Sequence, residues 1–419
     1  MATRKARETL EGYLFLLPSM IVLGIFVFWP IGFSFVLSFF KWDFRNMRHP
    51  TFAGIANYLE IFDFTAKPKY PFIPSLFASL LAIVAAIGVV YMFLVIGKKR
   101  DMYIALFVSA TSVVSFSVFS NSIVLGLINI VLWPFLIKVM VEYSAKALRR
   151  FWTVLFIGIA LFIVINQFVP HRYDIIKWFF DAKEKNDFLK ALYNTTYYVI
   201  LSVPITIALS LVIALLLNSN IKFNAIYRTS YFIPFVTSVV AISLVWQWIF
   251  NDDYGLLNYI LSWFGVERIA WLKDERWTIP TVAIVSIWKT VGYDAVIFLA
   301  GLQNIDKFYY EAAEVDGANS FQKFYYITWP LLSPTTFFLT IVSFIGAFKV
   351  FTEIFVLYQG LPGPYNNSGL TMVYYVFDLF YNQQRMGIAC AAAYLLFGII
   401  LIFTMVQFRL GKKMVEYVS

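Results

Sequence analysis

One cysteine and two histidines in 419 residues leave little for covalent or metal chemistry. Cys390 lies within an apolar run, so no disulfide can form within the chain, and His49 and His171 stand far apart, which argues against a metal centre. Charge is also scarce: 14% of residues are charged, against 61% hydrophobic and 20% aromatic. A water-soluble globule has an apolar share nearer half, so this composition excludes one. No G-x-x-x-x-G-K-[ST] occurs, since Gly97-Lys98-Lys99 and Gly411-Lys412-Lys413 lack both the glycine spacing and the hydroxyl. The chain therefore has no such loop to cradle a nucleotide's phosphates. It also lacks an internal repeat, a low-complexity tract and a soluble domain.

What the sequence does have is apolar runs of roughly 20 residues, each long enough to cross a hydrocarbon core as helix. These predict an all-α, polytopic transmembrane helical bundle of about 10 spans, near 13–40, 73–97, 102–120, 121–141, 151–170, 193–217, 229–250, 277–302, 331–357 and 387–408. Only Ser120-Asn121-Ser122 parts the third from the fourth, and 102–141 could equally be one long tilted helix or a re-entrant pair. Arg4, Lys5 and Arg7 precede the first run as in a signal peptide, but the run is too long and no small-residue cleavage site follows, which predicts an uncleaved span.

The formal charge of +9 could suggest nucleic acid, but the basic residues flank the apolar runs. That is the positive-inside pattern, so membrane lipid rather than nucleic acid is the expected partner. With a cytoplasmic amino terminus, the inner turns hold Lys98-Lys99-Arg100, then Lys138 to Arg150, then Lys222 with Arg228, and the tail holds Arg409, Lys412 and Lys413. Both termini are then cytoplasmic in the cell membrane. Loops near 41–72, 171–192, 251–276 and 358–386 face outward, the last rich in Gly, Pro and Asn.

Between two apolar runs lies a polar island, Glu311-Ala312-Ala313-Glu314-Val315-Asp316-Gly317-Ala318, followed by Phe324, Ile327, Pro330 and Pro334. It reads as two short helices: Asp306 can cap the first, Gly317 can end it in a left-handed turn, and Asn319 or Ser320 can cap the second. The small side chains Ala312, Ala313 and Ala318 permit close approach by another protein. The order resembles the E-A-A-x-x-D-G-A-x(5)-F-x-x-I-x-x-P-L-x-x-P loop of binding-protein-dependent ABC transporter permeases of the sugar type. Further likeness runs in the family's order over about three fifths of the chain: Tyr13-Leu14-Phe15, Ser38-Phe39-Phe40-Lys41-Trp42, Asn194-Thr195, Phe232-Ile233-Pro234, Trp246-Gln247-Trp248, Ala300-Gly301-Leu302-Gln303 and Phe348-Lys349-Val350-Phe351.

The resemblance implies a type I importer permease core without a cofactor of its own, which is not an enzyme. It further implies an ABC ATPase dimer, a second permease subunit and an extracellular solute-binding protein as partners. In that reading the island, with Glu311 and Asp316 as its charged members, docks on the ATPase, and residues 306–330 form the coupling loop. Three regions follow: 1–62 with the first span, an inserted 63–186 without recognised resemblance, and the core 187–419. About four inserted helices, an even number, would leave the core's orientation unchanged. They could be a lipid-facing appendage or a specific partner or lipid site.

Ionisable residues at membrane depth are functional candidates. Lys289 and Asp294 fall mid-span; Lys349 and Glu353 fall in the next core span. Asp294 could pair with Lys349, or Lys349 with Glu353 four residues on. Structural pairing and lining of a solute path both remain open for them, with Asn194 and Tyr293 completing the candidate path. Tyr293 beside Gly292 combines an aromatic face with a polar tip, which suits a sugar. An ion-coupled secondary transporter using Asp294, Lys289, Lys349 and Glu353 as a relay is the alternative.

Overall fold

The computed structural model describes residues 2–44, 48–63, 73, 76, 174–219 and 224–414. The inserted spans expected at 73–97, 102–120, 121–141 and 151–170 lie outside the described residues, the two isolated positions apart. Two units divide the chain, Met1–Asp63 with Asn186–Ser419, and Phe64–Lys185.

Helix α1 (Ala2–Leu23) continues through a π turn (Gly24–Phe28) into α2 (Trp29–Leu37). The π turn has a local cause. In a regular helix the ring of Pro30 would collide with the carbonyl of residue 26, and widening the turn before it relieves the clash. A hairpin follows, β1 (Phe40–Lys41) paired antiparallel with β2 (Thr51–Phe52), with Phe40 opposite Phe52. So small a hairpin is marginal alone. It is pinned by α3 (Ala56–Ile61), whose buried Asn57 donates to the carbonyls of Ser38 at 2.8 Å and Phe40 at 2.9 Å.

In the second unit, α4 (Asp174–Lys183) ends with Lys183, whose Nζ stands 5.0 Å over the Phe180 ring and 3.3 Å from Glu184.

The first unit resumes with α5 (Asp187–Asn218), capped by Asn186, which accepts from the Leu189 amide at 3.0 Å. Then come α6 (Asn224–Val236), α7 (Val239–Ile249), α8 (Leu256–Ser262) and α9 (Glu275–Gln303). Two short helices, α10 (Lys307–Val315) and α11 (Ser320–Lys323), lead through a second π turn (Phe324–Thr328) to α12 (Trp329–Leu331). That turn again sits just ahead of a Trp-Pro pair, Trp329-Pro330, with the same steric cause. The chain closes with α13 (Ser333–Ala347), α14 (Thr352–Leu357), α15 (Met372–Phe377) and α16 (Met386–Met414).

Helices α5 and α9 form the most extensive pairing. In lipid, water does not drive helices together, so small residues and hydroxyls must bring them close. Buried Ser202, Thr206, Ser210 and Ala214 are such residues on α5, and Ser210 donates to the Val291 carbonyl of α9 at 2.9 Å. Toward the far end of the pair, Leu211, Ala214 and Leu217 pack on Phe298, Leu299 and Leu302, and Leu332 and Leu339 close the cluster.

Among the described residues, four helices are long and apolar enough to cross a membrane, or up to six if two bent pairs each count as one span. Two expected single spans are therefore corrected. The run at 229–250 is broken by a bend of 98° between α6 and α7, and the bundle's run at 331–357 is preceded by a 61° bend and interrupted at 348–351, where α13 gives way to α14. The polar residues at these breaks, Thr237-Ser238 and Lys349, are too few to interrupt either apolar run, so hydropathy alone could not place the breaks.

Among the described glycines the tightest site is Gly292 of α9, where an added Cβ would stand 1.7 Å from the Tyr231 carbonyl oxygen of α6. Gly292→Ala must force these helices apart, an overpacking cost of about 1–3 kcal/mol or more. Thermal denaturation of the purified protein in detergent should show a clear loss of stability for Gly292→Ala and none for Gly398→Ala, where nothing lies within 4 Å.

Candidate functional site

The polar island folds as a two-helix knob. Asp306 caps α10 by accepting from the Phe308 amide at 2.9 Å. The helix ends at Gly317, whose φ of +75° is left-handed, and the amides of Gly317 and Ala318 return to the carbonyls of Glu314 and Ala313 at 3.0 and 2.9 Å. These bonds satisfy the carbonyls left over at the helix end. Asn319 and Gln322 then form a reciprocal capping box on α11, both bonds at 2.8 Å.

Two contacts tie the knob together. Lys323 bonds Glu314 at 2.8 Å, and Tyr310 Oη lies 2.9 Å from Thr328 Oγ1. The Lys323 ammonium, through its hydrogen bond and its charge, holds the Glu314 carboxyl below the ordinary carboxylate range. Glu311, Ala312, Asp316 and Gly317 are exposed, while Ala313 and Ala318 are half-buried. Exposed apolar side chains surround them: Phe308, Val315, Phe321 and Tyr326 are 69%, 89%, 74% and 72% exposed. Apolar side chains this exposed on a polar knob suit contact with another protein. Both roots of the knob are anchored, because Leu302 before it and Leu332 after it belong to one buried cluster.

A second feature is a cavity of about 510 Å³ between α5, the α6–α7 break, α9 and the end of α13. Its lining is rich in hydroxyls: Tyr198, Ser202 and Thr206 from α5, Ser286 and Thr290 from α9, and Ser343 and Thr352 beyond. Ser202 and Thr290 donate back into their own helices at 2.8 Å, to the carbonyls of Tyr198 and Ser286, which leaves their lone pairs to face the cavity. The buried Ser286 hydroxyl has no partner in the described structure. Asp294, 4% exposed, accepts from Ser343 Oγ at 3.3 Å. The Tyr293 ring stacks on Phe235 with centroids 4.2 Å apart.

Of the candidate path residues, the structure brings Tyr293, Asp294 and Lys349 to this cavity, joined by Glu353. Lys289 and Asn194 are absent from its lining. Lys289 turns to the Phe235 carbonyl at 3.2 Å. Asn194 is buried and donates to the carbonyls of Asn367 and Leu370 at 3.2 and 3.0 Å, clamping the loop before α15. The pairs considered for the buried charges are not formed: no ion pair joins Lys349 to Asp294 or to Glu353 among the described residues. Asp294 instead meets Ser343 on α13, while Lys349 lies past the end of that helix and is exposed.

Sequence reading passed over the hydroxyls. Their signal was the spacing of four, at 198, 202 and 206 on α5 and at 286 and 290 on α9, the latter continued by Asp294, which sets each series on one helical face. Of the other aromatics near the path, Trp288 faces away, edge-on to Trp246 at 5.7 Å, and Phe298 is wholly buried in the core.

Residues 182–415 match the family described as binding-protein-dependent transport system inner membrane component. The chain is 39% identical over 226 residues to the arabinooligosaccharides transport system permease protein AraP of Halalkalibacterium halodurans, covering 53% of this chain and 71% of that one. It is 30% identical over 280 residues to the trehalose/maltose transport system permease protein MalF of Thermococcus litoralis, covering 67% and 91%. It is also similar, at 25% identity and a TM-score of 0.51, to a chain in the crystal structure of a bacterial ABC transporter involved in the import of the acidic polysaccharide alginate, covering 55% of this chain and 80% of that chain.

Proposed function

The chain belongs to the binding-protein-dependent transport system inner membrane components, and from that premise we propose that it is the permease subunit of an ATP-driven ABC importer that moves a sugar delivered by an extracellular binding protein. One observation carries this reading: the family match at 182–415 encloses both the knob and every element that lines the cavity. The chain is a transport subunit and not an enzyme, and ATP hydrolysis belongs to a separate ATPase. It is a multi-pass membrane protein. Relatives named for arabinooligosaccharides and for trehalose and maltose support an oligosaccharide as the solute.

In this reading the knob 306–330 is cytoplasmic and enters the ATPase, with Glu311 meeting a basic residue there and Ala312, Ala313, Asp316, Gly317 and Ala318 shaping the contact. The cavity is the solute path. Hydroxyls and the carboxylates of Asp294 and Glu353 accept from sugar hydroxyls, Lys349 donates at the rim, and the Tyr293 ring offers a stacking face. A second permease subunit completes the path, and both termini are cytoplasmic. The region 1–62 supplies the first span, 187–419 is the permease core, and four further spans in the insert 63–186 bring the total to ten. The ion-coupled relay loses its footing, because the family is an ATP-driven one and Lys289, Asp294, Lys349 and Glu353 do not pair into a chain.

Charge reversal at a buried interface pair costs several kcal/mol, so Glu311→Lys should weaken association with the ATPase by tenfold or more, as about 1.4 kcal/mol already suffices for a factor of ten. Gly317→Pro, which cannot take the left-handed turn, should act in the same direction. Both proteins should still insert. Co-purification of the ATPase and solute-stimulated hydrolysis measure the effect; wild-type values for both variants would exclude docking by the knob.

Tyr293→Ala should lower solute uptake while leaving the assembled complex and its basal ATP hydrolysis in place. A packing role would instead show as lost complex, since emptying an aromatic site in a core costs roughly 3–5 kcal/mol. Uptake at the wild-type rate with wild-type yield would remove Tyr293 from the path.

A further inference from the structure

Lys289 stands about 21 Å along α9 from its first residue, at 1.5 Å per residue. An ammonium at that depth is costly and requires a partner or a task. No carboxylate lies within ion-pair distance of it among the described residues, and Glu353 of α14 is a carboxylate that feels its charge from farther off. Its Nζ donates to the Phe235 carbonyl at 3.2 Å and lies 5.2 Å from the centroid of the Phe235 ring.

Phe235 is the penultimate residue of α6, immediately before the 98° bend. The last carbonyls of a helix have no partner within it and carry the negative end of its dipole. At a membrane surface water would meet them; inside hydrocarbon each one left bare costs several kcal/mol. Two of them have visible partners. Thr237 bonds the Ile233 carbonyl with its amide at 3.1 Å and its hydroxyl at 2.9 Å. The Phe235 carbonyl falls to Lys289. The geometry of α9 suits this role, because positions 289, 292 and 293 share one helical face. Gly292 admits the backbone at Tyr231, Lys289 reaches the carbonyl at Phe235, and Tyr293 stacks on the Phe235 ring.

We propose that Lys289 is a membrane-embedded cap for the end of α6: it fixes the α6–α7 break and, through Phe235, holds the aromatic wall of the cavity against Tyr293. It is a positioning residue that does not touch the solute. The second half of this statement rests on the cavity being the solute path; the first half does not.

The test is a distance measurement between spin labels on cysteines at Ile226 of α6 and Leu244 of α7, both exposed, in a Cys390→Ala background within the assembled transporter. Lys289→Met should broaden the distance distribution and lower uptake roughly tenfold, the scale of a cation at a partly buried helix end. Lys289→Arg, which keeps a charged donor, should restore both. Phe235→Leu should keep the narrow distribution, because the carbonyl remains, although the cavity wall is lost. Should Lys289→Met fail to assemble, Lys289→Gln takes its place, and the same broadening is expected.

An unchanged distribution in the Met or Gln variant overturns the proposal. If uptake is lost in that case, the lysine acts on the solute directly. Broadened distances in Lys289→Met together with normal uptake in Tyr293→Ala would leave the cap standing and refute the solute path.

Discussion

Backbone groups that leave a helix inside hydrocarbon lose water as a partner, at several kcal/mol each, and this chain leaves its helices repeatedly. At several of these departures a polar side chain from another element supplies a partner. Lys289 meets the Phe235 carbonyl at the α6–α7 break, and Gln247 donates to the Leu357 carbonyl at the end of α14 at 3.1 Å. Asn194 holds the carbonyls of Asn367 and Leu370, the buried Thr371 hydroxyl donates to Val350, and Thr195 accepts the Met372 amide at 2.9 Å. Side chains that read as candidates for chemistry thus turn out to hold the scaffold. The cavity exists because helices can be interrupted around it without leaving bare backbone.

Helix α9 joins the pieces of the account. Its middle contributes Ser286, Thr290, Tyr293 and Asp294 to the cavity, its far end contributes Phe298, Leu299 and Leu302 to the buried cluster, and the knob begins three residues after it ends. The same cluster takes Leu332 from the knob's other root. A close-packed core deforms little, so a displacement of the knob is passed to α9 and α13 as a rigid-body movement rather than absorbed at the joint. Gly301 keeps these two helices near each other, for a Cβ there would stand 2.6 Å from Thr335 Oγ1. The knob and the cavity therefore share one packed helix, α9.

Local chemistry was readable in the sequence wherever it is self-contained. Asp306, Gly317 and Asn319 announce caps and a left-handed turn that need only their neighbours, and the structure forms them. The breaks were not readable. Residues 229–250 are mostly apolar, and the side chain that meets the Phe235 carbonyl at the bend comes from Lys289, some fifty residues later in the chain. Lys289 and Asn194 stand outside the cavity lining, on backbone carbonyls, and the sequence could not tell this apart: a polar residue facing a carbonyl looks, in one dimension, like one facing a solute. Tyr293, Asp294 and Lys349 do reach the cavity, yet the hydroxyls that dominate its lining are ordinary in a membrane helix and become informative only through their spacing of four.

Whether ATP or an ion gradient drives the solute is the question on which the account depends. The most direct measurement is uptake of labelled oligosaccharide into proteoliposomes holding the complete transporter, with its binding protein outside and ATP supplied to the ATPase, before and after ionophores collapse every ion gradient. The account predicts uptake that requires ATP and persists when the gradients are gone. Uptake that proceeds without ATP and stops with the gradients would contradict it.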